Sequence, residues 1–486
     1  MLRVRGLYLA SMVGLSMGSM ALADVPVHQV EARPDENPTT GYAPIDFAGA
    51  TTKAGTGAFA GINFSALANT NNTLSGHAVT VGNNFYGTAT TAHSFITNVY
   101  VDEADHFLAN VVRTQLAGSS VSAPAPLSIG NGVRVSNNSW VGTFAPDNPN
   151  ADGDAIRRID YMIDRDDLVF SATAVAGGTY GNSYLAWAAR NSIAVRGDDS
   201  VLPFAPTGTS PGKTHADLWG SGTLGGDEGS YVTGAVSGYA ASLIGTAQAM
   251  GSADAQHSQV IRSLLMTGAD KTAVSVNNGA WSDQTPNHLN IKLGAGKVRY
   301  GTSLEILNAG QKNIASVVAS SIASATPAAG NKGWAYATSV SGGDQAIVIY
   351  APDGIDDLAA TLNWNVTQPN ALAPGNINTL ASATIFPDLN LELRQVTPNG
   401  AGFNILAPLA GAGYQSASTG ASADNIEHLY STADLGAGYY AFIIHGDASK
   451  TTDYGFSYSI TPAPEPGGMM VLAMGAGMAM VRRRRK

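Results

Sequence analysis

"EGSYVTGAVSGYAASLI", residues 228–244, leaves a Gly-rich loop and turns into an apolar helix. Ser230 sits where the loop gives way to the helical pattern. One reading of that hydroxyl is an N-cap, a position where Ser is favoured. The other is a nucleophile, because a helix N-terminus stabilises developing negative charge. A nucleophilic Ser needs a base, and the base needs an orienting acid. Of nine histidines, His77 in "LSGHAVTVGNNFYG" (74–87) lies between a Ser/Gly turn and the start of an apolar helix. Its plain reading is a helix-start His with no further task. His93, His106, His215 and His257 lack a comparable context. The alternating run "VPVHQVEA" (25–32) ends in Glu31, which is either a site acid at a strand end or the first solvated loop residue. Asp46 in "APIDFAG" is the rival acid.

The surroundings of these three stretches set the fold class. "FITNVYV" (95–101), "NGVRVSNNSW" (131–140), "DLVFSATAVAGG" (167–178) and "NSIAVRG" (191–197) read as further strands. Helical patterns such as "DAIRRIDYMIDRD" (154–166) lie between them. Alternation of this kind predicts an α/β domain with a mostly parallel sheet over residues 24–311, with its site at the carboxyl ends of the strands. The Ala/Ser-rich stretch 312–333 reads as a linker or boundary helix. Beyond it, "QAIVIYAP", "LAATLNWNVTQ", "DLNLELRQVTP", "NIEHLYSTADL", "GYYAFIIHGD" and "YGFSYSITP" alternate apolar and polar residues between Asn, Gly and Pro turns. That pattern predicts an antiparallel β-sandwich over 334–461.

Composition narrows the function. The 486 residues are 44% apolar and 13% charged, enough to bury a large core. A net charge of −10 with no basic patch before the last residues argues against nucleic-acid binding. With no cysteine, disulfides, Cys-ligated zinc and a thiol nucleophile are excluded. At the N-terminus, Arg3 and Arg5 precede an apolar run and Ala21-Leu22-Ala23, the order of a signal peptide over 1–23. At the other end (462–486), Pro464-Glu465-Pro466 is followed by fifteen small or apolar residues (467–481), then Arg482 to Lys486. Physically this is a short membrane segment held by a positive-inside stop, and a permanent anchor is its plain alternative.

Two resemblances follow from these residues. The tail is similar to the PEP-CTERM sorting signal. That implies a Gram-negative cell surface or extracellular destination, reached through the inner membrane, and an exosortase-type processing enzyme as partner. The central stretches resemble, in order, the motifs of the subtilisin-like serine peptidases (subtilases). "EGSYVTGAVSG" resembles G-T-S-x-A-[TS]-P-x-V-[AS]-G, with Ser230, Thr233, Val236, Ser237 and Gly238 in register. "GHAVTVG" resembles the His motif, and "VRVSNNSW" (133–140) the strand lining the peptide cleft, at Ser139 and Trp140. "THADLWGSG" (214–222), "QHSQVIRSLLMTGADKT" (256–272) and "LGAGKVRYGTSLEIL" (293–307) resemble later stretches of the same domain.

The resemblance implies a three-layer subtilisin-like domain followed by a jelly-roll-like sandwich. It implies peptide-bond hydrolysis with Ser230 as nucleophile, His77 as base and Glu31 as acid, and no obligatory cofactor. The departures are specific. Glu228 and Gly229 replace the Gly-Thr before the Ser, Gly234 replaces the Pro, and Glu31 stands where the family has Asp. Gly177 and Gly178 occupy the place of the oxyanion Asn, leaving Asn182 to reach in. Glu31 follows the expected cleavage site by eight positions, without room for a prodomain. In the sandwich, Asp388, Asp424, Asn425 and Glu427 are oxygen donors for a Ca²⁺ ion or polar caps of turns. The alternative to a peptidase is a catalytically weak or inactive subtilase-fold scaffold or adhesin.

Overall fold

The computed structural model describes residues 24–32, 41–68, 74–114, 124–144, 149–174, 185–199, 213, 215–367, 387–416 and 424–463. The signal-peptide stretch, the sorting signal from Pro464 on, Gly177, Gly178 and Asn182 lie outside them.

The first sheet has eight strands in the order β2-β3-β4-β1-β5-β6-β7-β8. These are β1 Val27–Glu31, β2 Thr52–Ala54, β3 Asn63–Ala66, β4 Asn98–Glu103, β5 Val135–Asn138, β6 Val169–Thr173, β7 Ile193–Gly197 and β8 Leu218–Gly220. All neighbours are parallel except β2 and β3. Strands β1, β5, β6 and β7 are buried along their whole length, as parallel strands covered on both faces must be. One face packs on α1 (Gly76–Phe85), α4 (Gly229–Ala249) and α5 (Ser258–Thr267) through Val27, Val135, Val169, Val195 and Leu218. The other packs on α3 (Pro149–Asp166) and the segment from α2 (Ala104–His106) to Val112 through Val30, Phe170, Ala172 and Ala194. A helix α6 (Tyr300–Asn308) closes the α/β part.

The strand order turns about β1. Strand β4 lies on one side of it, and β5 to β8 run outward on the other. Ligand sites of open α/β sheets lie at the carboxyl ends of strands at such a switch point. Glu31 is the last residue of β1.

The β-rich part follows. A seven-stranded sheet runs β15-β10-β9-β12-β18-β14-β16 and a four-stranded sheet runs β11-β19-β13-β17. The strands are β9 Ala315–Val318, β10 Ser321–Ile322, β11 Lys332–Thr338, β12 Asp344–Ala351, β13 Asp357–Trp364, β14 Asn390–Asn399, β15 Gly402–Pro408, β16 Gln415–Ser416, β17 Ile426–Ser431, β18 Gly438–His445 and β19 Asp453–Thr461. Every ladder between these strands is antiparallel. Ile347, Leu362, Trp364, Leu391, Phe442 and Phe456 meet between the sheets.

The expectation of a linker or helix over 312–333 is corrected. Strands β9 and β10 and the start of β11 lie there, and β9 pairs with β12. Ile322 is buried with Phe403 and Val396 on one face of the seven-stranded sheet, and Val317 is half-buried against them. The Ala/Ser composition hides a short β-branched run that the sheet can use. Among the described residues no helix is long and apolar enough to cross a membrane.

The two parts are joined by polar contacts. Asn363 Nδ2 donates to the Gln259 carbonyl of α5 at 2.7 Å, and Thr267 Oγ1 lies 2.8 Å from Thr361 Oγ1. Gly455 on β19 runs so close to α5 that a Cβ there would lie 2.4 Å from the Gln259 carbonyl carbon.

Candidate active site

Helix α4 begins at Gly229, and its capping position is Glu228, whose side chain makes no capping bond. Ser230 is therefore the second helical residue, and the N-cap reading fails. Helix α1 begins in the same way. Ser75 caps it by accepting from the Ala78 N–H at 3.3 Å, and His77 is its second residue.

The two helices approach through glycines. A Cβ on Gly234 would lie 2.8 Å from the Val81 carbonyl oxygen, and one on Gly238 2.6 Å from that of Phe85. The contacts advance by four residues on both helices, 81 with 234 and 85 with 238. Residues four apart share a helix face. One turn back along the same faces, the register runs toward His77 on α1 and Ser230 on α4, and no hydrogen bond joins their side chains. The neighbours agree, because the His77 ring lies 5.5 Å from that of Tyr231. The loop before α4 is tied to α1 as well: Asn84 Nδ2 donates to the Leu224 carbonyl at 2.9 Å, and Asn84 Oδ1 accepts the Leu224 N–H at 2.9 Å.

Glu31 Oε2 lies 2.7 Å from His77 Nδ1. The carboxylate is 1% exposed and the imidazole 34% exposed, so the pair joins a buried anion to a ring that solvent reaches. Burial opposes charge on His77, but the hydrogen bond to Glu31, its charge and that of Glu228 hold the pKa above the ordinary value. Asp46 is not the partner: it is exposed, and its carboxylate accepts the Ala48 N–H at 2.9 Å within a turn.

Two residues that sequence reading passed over complete the acid's surroundings. Gln29 Nε2 donates to Glu31 Oε1 at 2.7 Å and to the Ala78 carbonyl at 3.0 Å. The Tyr86 hydroxyl donates to Gln29 Oε1. The signal was present in "HQVE": residues two apart on a strand share a face, so a Gln two before the acid points the same way. Tyr86 gave no such signal.

Ser139 and Trp140 are placed differently from the expectation that they line an open cleft. Ser139 Oγ donates to the Ser230 carbonyl at 2.9 Å and accepts from Asn137 Nδ2 at 2.9 Å. Trp140 is buried, with its Nε1 donating to Asn138 Oδ1 at 3.1 Å. Ser139 thus braces the backbone of Ser230, whereas Trp140 packs in the core on the other face of the sheet. Strand β5 has β1 and β6 on its two edges, and the Ser139 N–H is already given to the Val30 carbonyl at 3.3 Å. No edge of β5 is free to pair with a peptide.

The remaining histidines are engaged elsewhere. His93 Nδ1 meets the Tyr86 carbonyl at 2.9 Å, His106 Nδ1 meets Asp102 at 2.6 Å, and His257 Nδ1 meets Asp167 at 3.0 Å. His215 is bonded to Asp424 across the two parts of the chain. The polar residues of the sandwich are drawn into bonds of their own. Asp424 is taken by His215 and Asn287, Asn425 by the Trp364 carbonyl and Asn191, and Glu427 by Ser416. The Asp388 N–H goes to Asp447 at 3.0 Å. Among the described residues no group of three or more His, Asp or Glu side chains is placed to hold a metal ion.

No protein-family model matches the chain, and no curated protein matches it. Among solved structures, MycP3 protease from the type VII (ESX-3) secretion system is 14% identical over 58% of this chain and 96% of its own, with a TM-score of 0.30. Fervidolysin from Fervidobacterium pennivorans, described as a keratinolytic enzyme related to subtilisin, is 14% identical over 86% of this chain and 59% of its own, with a TM-score of 0.27. The Yersinia pseudotuberculosis-derived mitogen is 15% identical over 28% of this chain and 91% of its own, with a TM-score of 0.16. TM-scores this low mark a loose likeness.

Proposed function

We propose that the chain is an exported subtilisin-like serine endopeptidase. The observation that carries the reading is the buried Glu31 carboxylate bonded to His77 Nδ1, on a helix that packs closely against α4, whose first turn holds Ser230. Glu31 holds Nδ1–H, which leaves Nε2 as the basic nitrogen. Nε2 takes the Ser230 proton as Oγ attacks the scissile carbonyl, and returns it to the leaving amine. The Ser230 backbone N–H, in the first turn of a long helix, faces the developing oxyanion with the helix dipole behind it. Asn182 or the Gly178 N–H supplies the second donor in this reading. No cofactor is invoked. The terminal signals assign export and sorting by an exosortase-type enzyme, with transient membrane insertion of the tail.

One observation favours the second reading, a weak or inactive scaffold or adhesin. Glu228 lies close enough to hydrogen-bond Tyr231 and to act on His77. A carboxylate there opposes the negative charge that acyl transfer creates beside it. A fluorophosphonate probe separates the two. Covalent labelling of the folded protein, abolished by Ser230→Ala, supports the peptidase. Absence of labelling in folded protein, across pH 6 to 9 (the range about a histidine base), hands the function to the scaffold.

A further inference from the structure

Glu31 stands one methylene farther from its backbone than an Asp would, and the extra torsion gives its carboxylate more ways to point. The surroundings remove that freedom. Gln29 Nε2 has two hydrogens, and both are committed, one to Glu31 Oε1 at 2.7 Å and one to the Ala78 carbonyl at 3.0 Å. Its Oε1 accepts from the Tyr86 hydroxyl. Turning the amide over would set its oxygen against a carboxylate and a carbonyl, so the orientation is determined by chemistry. Gln29 and Tyr86 are 0% exposed, and water does not compete for these bonds. Burial, with the Glu31 charge, pushes the Tyr86 phenol well above its ordinary range, so it stays a donor. Ala78 follows His77 directly in α1. The one amide therefore ties the acid to the turn that carries the base.

We infer that Gln29 and Tyr86 are positioning residues: they clamp Glu31 Oε1 so that Oε2 alone meets His77 Nδ1, which lets a Glu serve in this site. The inference rests on the peptidase reading for its catalytic meaning and on the Gln29, Glu31 and Tyr86 hydrogen bonds for its geometry. A hydrogen bond to a carboxylate oxygen takes up part of its negative charge. Without Gln29 that charge is left to the His77 side and holds the imidazolium proton more tightly. The proton on His77 then leaves at higher pH.

The test uses Gln29→Met and Tyr86→Phe, each made in the full chain and in a Ser230→Ala background. In the Ser230→Ala proteins, the His77 titration is followed by NMR, which requires no catalysis. Gln29→Met is expected to raise the His77 midpoint, and Tyr86→Phe to raise it less. In the active background, the acid limb of the fluorophosphonate rate moves up by the same interval. For peptide cleavage, kcat falls by about tenfold, as for a lost hydrogen bond to a charged group, with KM unchanged. Gln29→Glu, which regains a donor only when protonated, moves the limb further up than Gln29→Met. If Gln29→Met does not fold, Tyr86→Phe carries the measurement alone. An unmoved His77 midpoint in the folded variants overturns the clamp. A moved midpoint in a wild-type chain that the probe never labels leaves the clamp standing and removes the peptidase.

Discussion

Gly234→Ala is the sharpest test of how the candidate site is held together. The added Cβ would lie 2.8 Å from the Val81 carbonyl oxygen, 3.3 Å from Val81 Cγ1 and 3.5 Å from Asn84 Cβ. Ordinary contact begins near 3.4 Å, so α1 and α4 must part by roughly 0.6 Å at this turn. The obstructing atom is backbone and cannot swing aside. Overpacking of this kind costs about 1–3 kcal/mol. Replacing Gly by Ala inside a helix returns about 1 kcal/mol. The net change is a modest destabilisation of about 0–2 kcal/mol, too small to unfold a chain with a core this large. Activity suffers more, because His77 and Ser230 each lie one turn before the contact and move with their helices. A misplacement of about 1 Å costs on the order of 10²-fold, so roughly 0.6 Å costs about tenfold. The assay pairs thermal unfolding with the second-order rate of fluorophosphonate modification. Gly76→Ala is the control, since its Cβ, beside His77, meets nothing within 4 Å. A Gly234→Ala protein that melts at or above the wild-type temperature and labels at the wild-type rate would falsify the helix-contact argument.

Two pH predictions follow from the histidine pairs. His77 lies above its ordinary pKa, so the neutral base is populated late: the midpoint of the labelling rate is expected above pH 6.5, and Glu31→Gln should move it down. The same substitution lowers the plateau by up to about 10⁴-fold through the wrong tautomer; an unchanged profile would remove Glu31 from the site. The second pair is His215 and Asp424. Burial opposes both charges, yet the pairing raises His215 and depresses Asp424 well below the carboxylate range. A depressed Asp contributes stability above its unfolded pKa of about 3.9, lost as pH falls through the folded value; a raised His contributes below about 6.5, lost as pH rises through its folded value. The pair thus supports the junction between the two parts most fully between about pH 4 and 6.5. Thermal unfolding followed across pH 3 to 9 should give its maximum contribution in that window, and Asp424→Asn should remove the excess there; equal losses at pH 5 and pH 9 would refute the linkage.

The helices and strands that frame the site were legible because their periods are local. The apolar run after Ser230 is α4, the alternation ending at Glu31 is β1, and six runs of the later half are strands β12, β13, β14, β17, β18 and β19. What failed depends on distant chain. Whether Ser139 and Trp140 offer an edge is decided by the order β1-β5-β6, which no pattern within residues 131–140 contains. The Ala/Ser stretch became sheet because Val317 and Ile322 found Phe403 some eighty residues away. The bond of Asp424 to His215 was equally out of sight, since the two lie 209 positions apart.

The departures from the subtilase pattern separate on the same ground. Gly234 in place of Pro reads in sequence as a weakened motif. In the fold it is the residue that lets α4 touch the Val81 carbonyl and brings the two first turns together. Glu31 in place of Asp reads as an acid of the wrong length. In the fold its second oxygen is held by Gln29, itself held by Tyr86, 57 positions away. Glu228 is engaged by Tyr231, but its negative charge still lies beside Ser230 and raises His77. Two of these three substitutions are therefore matched by a neighbour that makes them workable, and the third opposes the chemistry. On the proposed peptidase reading, Gly234 and Glu31 are accommodated by the packing around them, and Glu228 is the departure expected to slow the nucleophile.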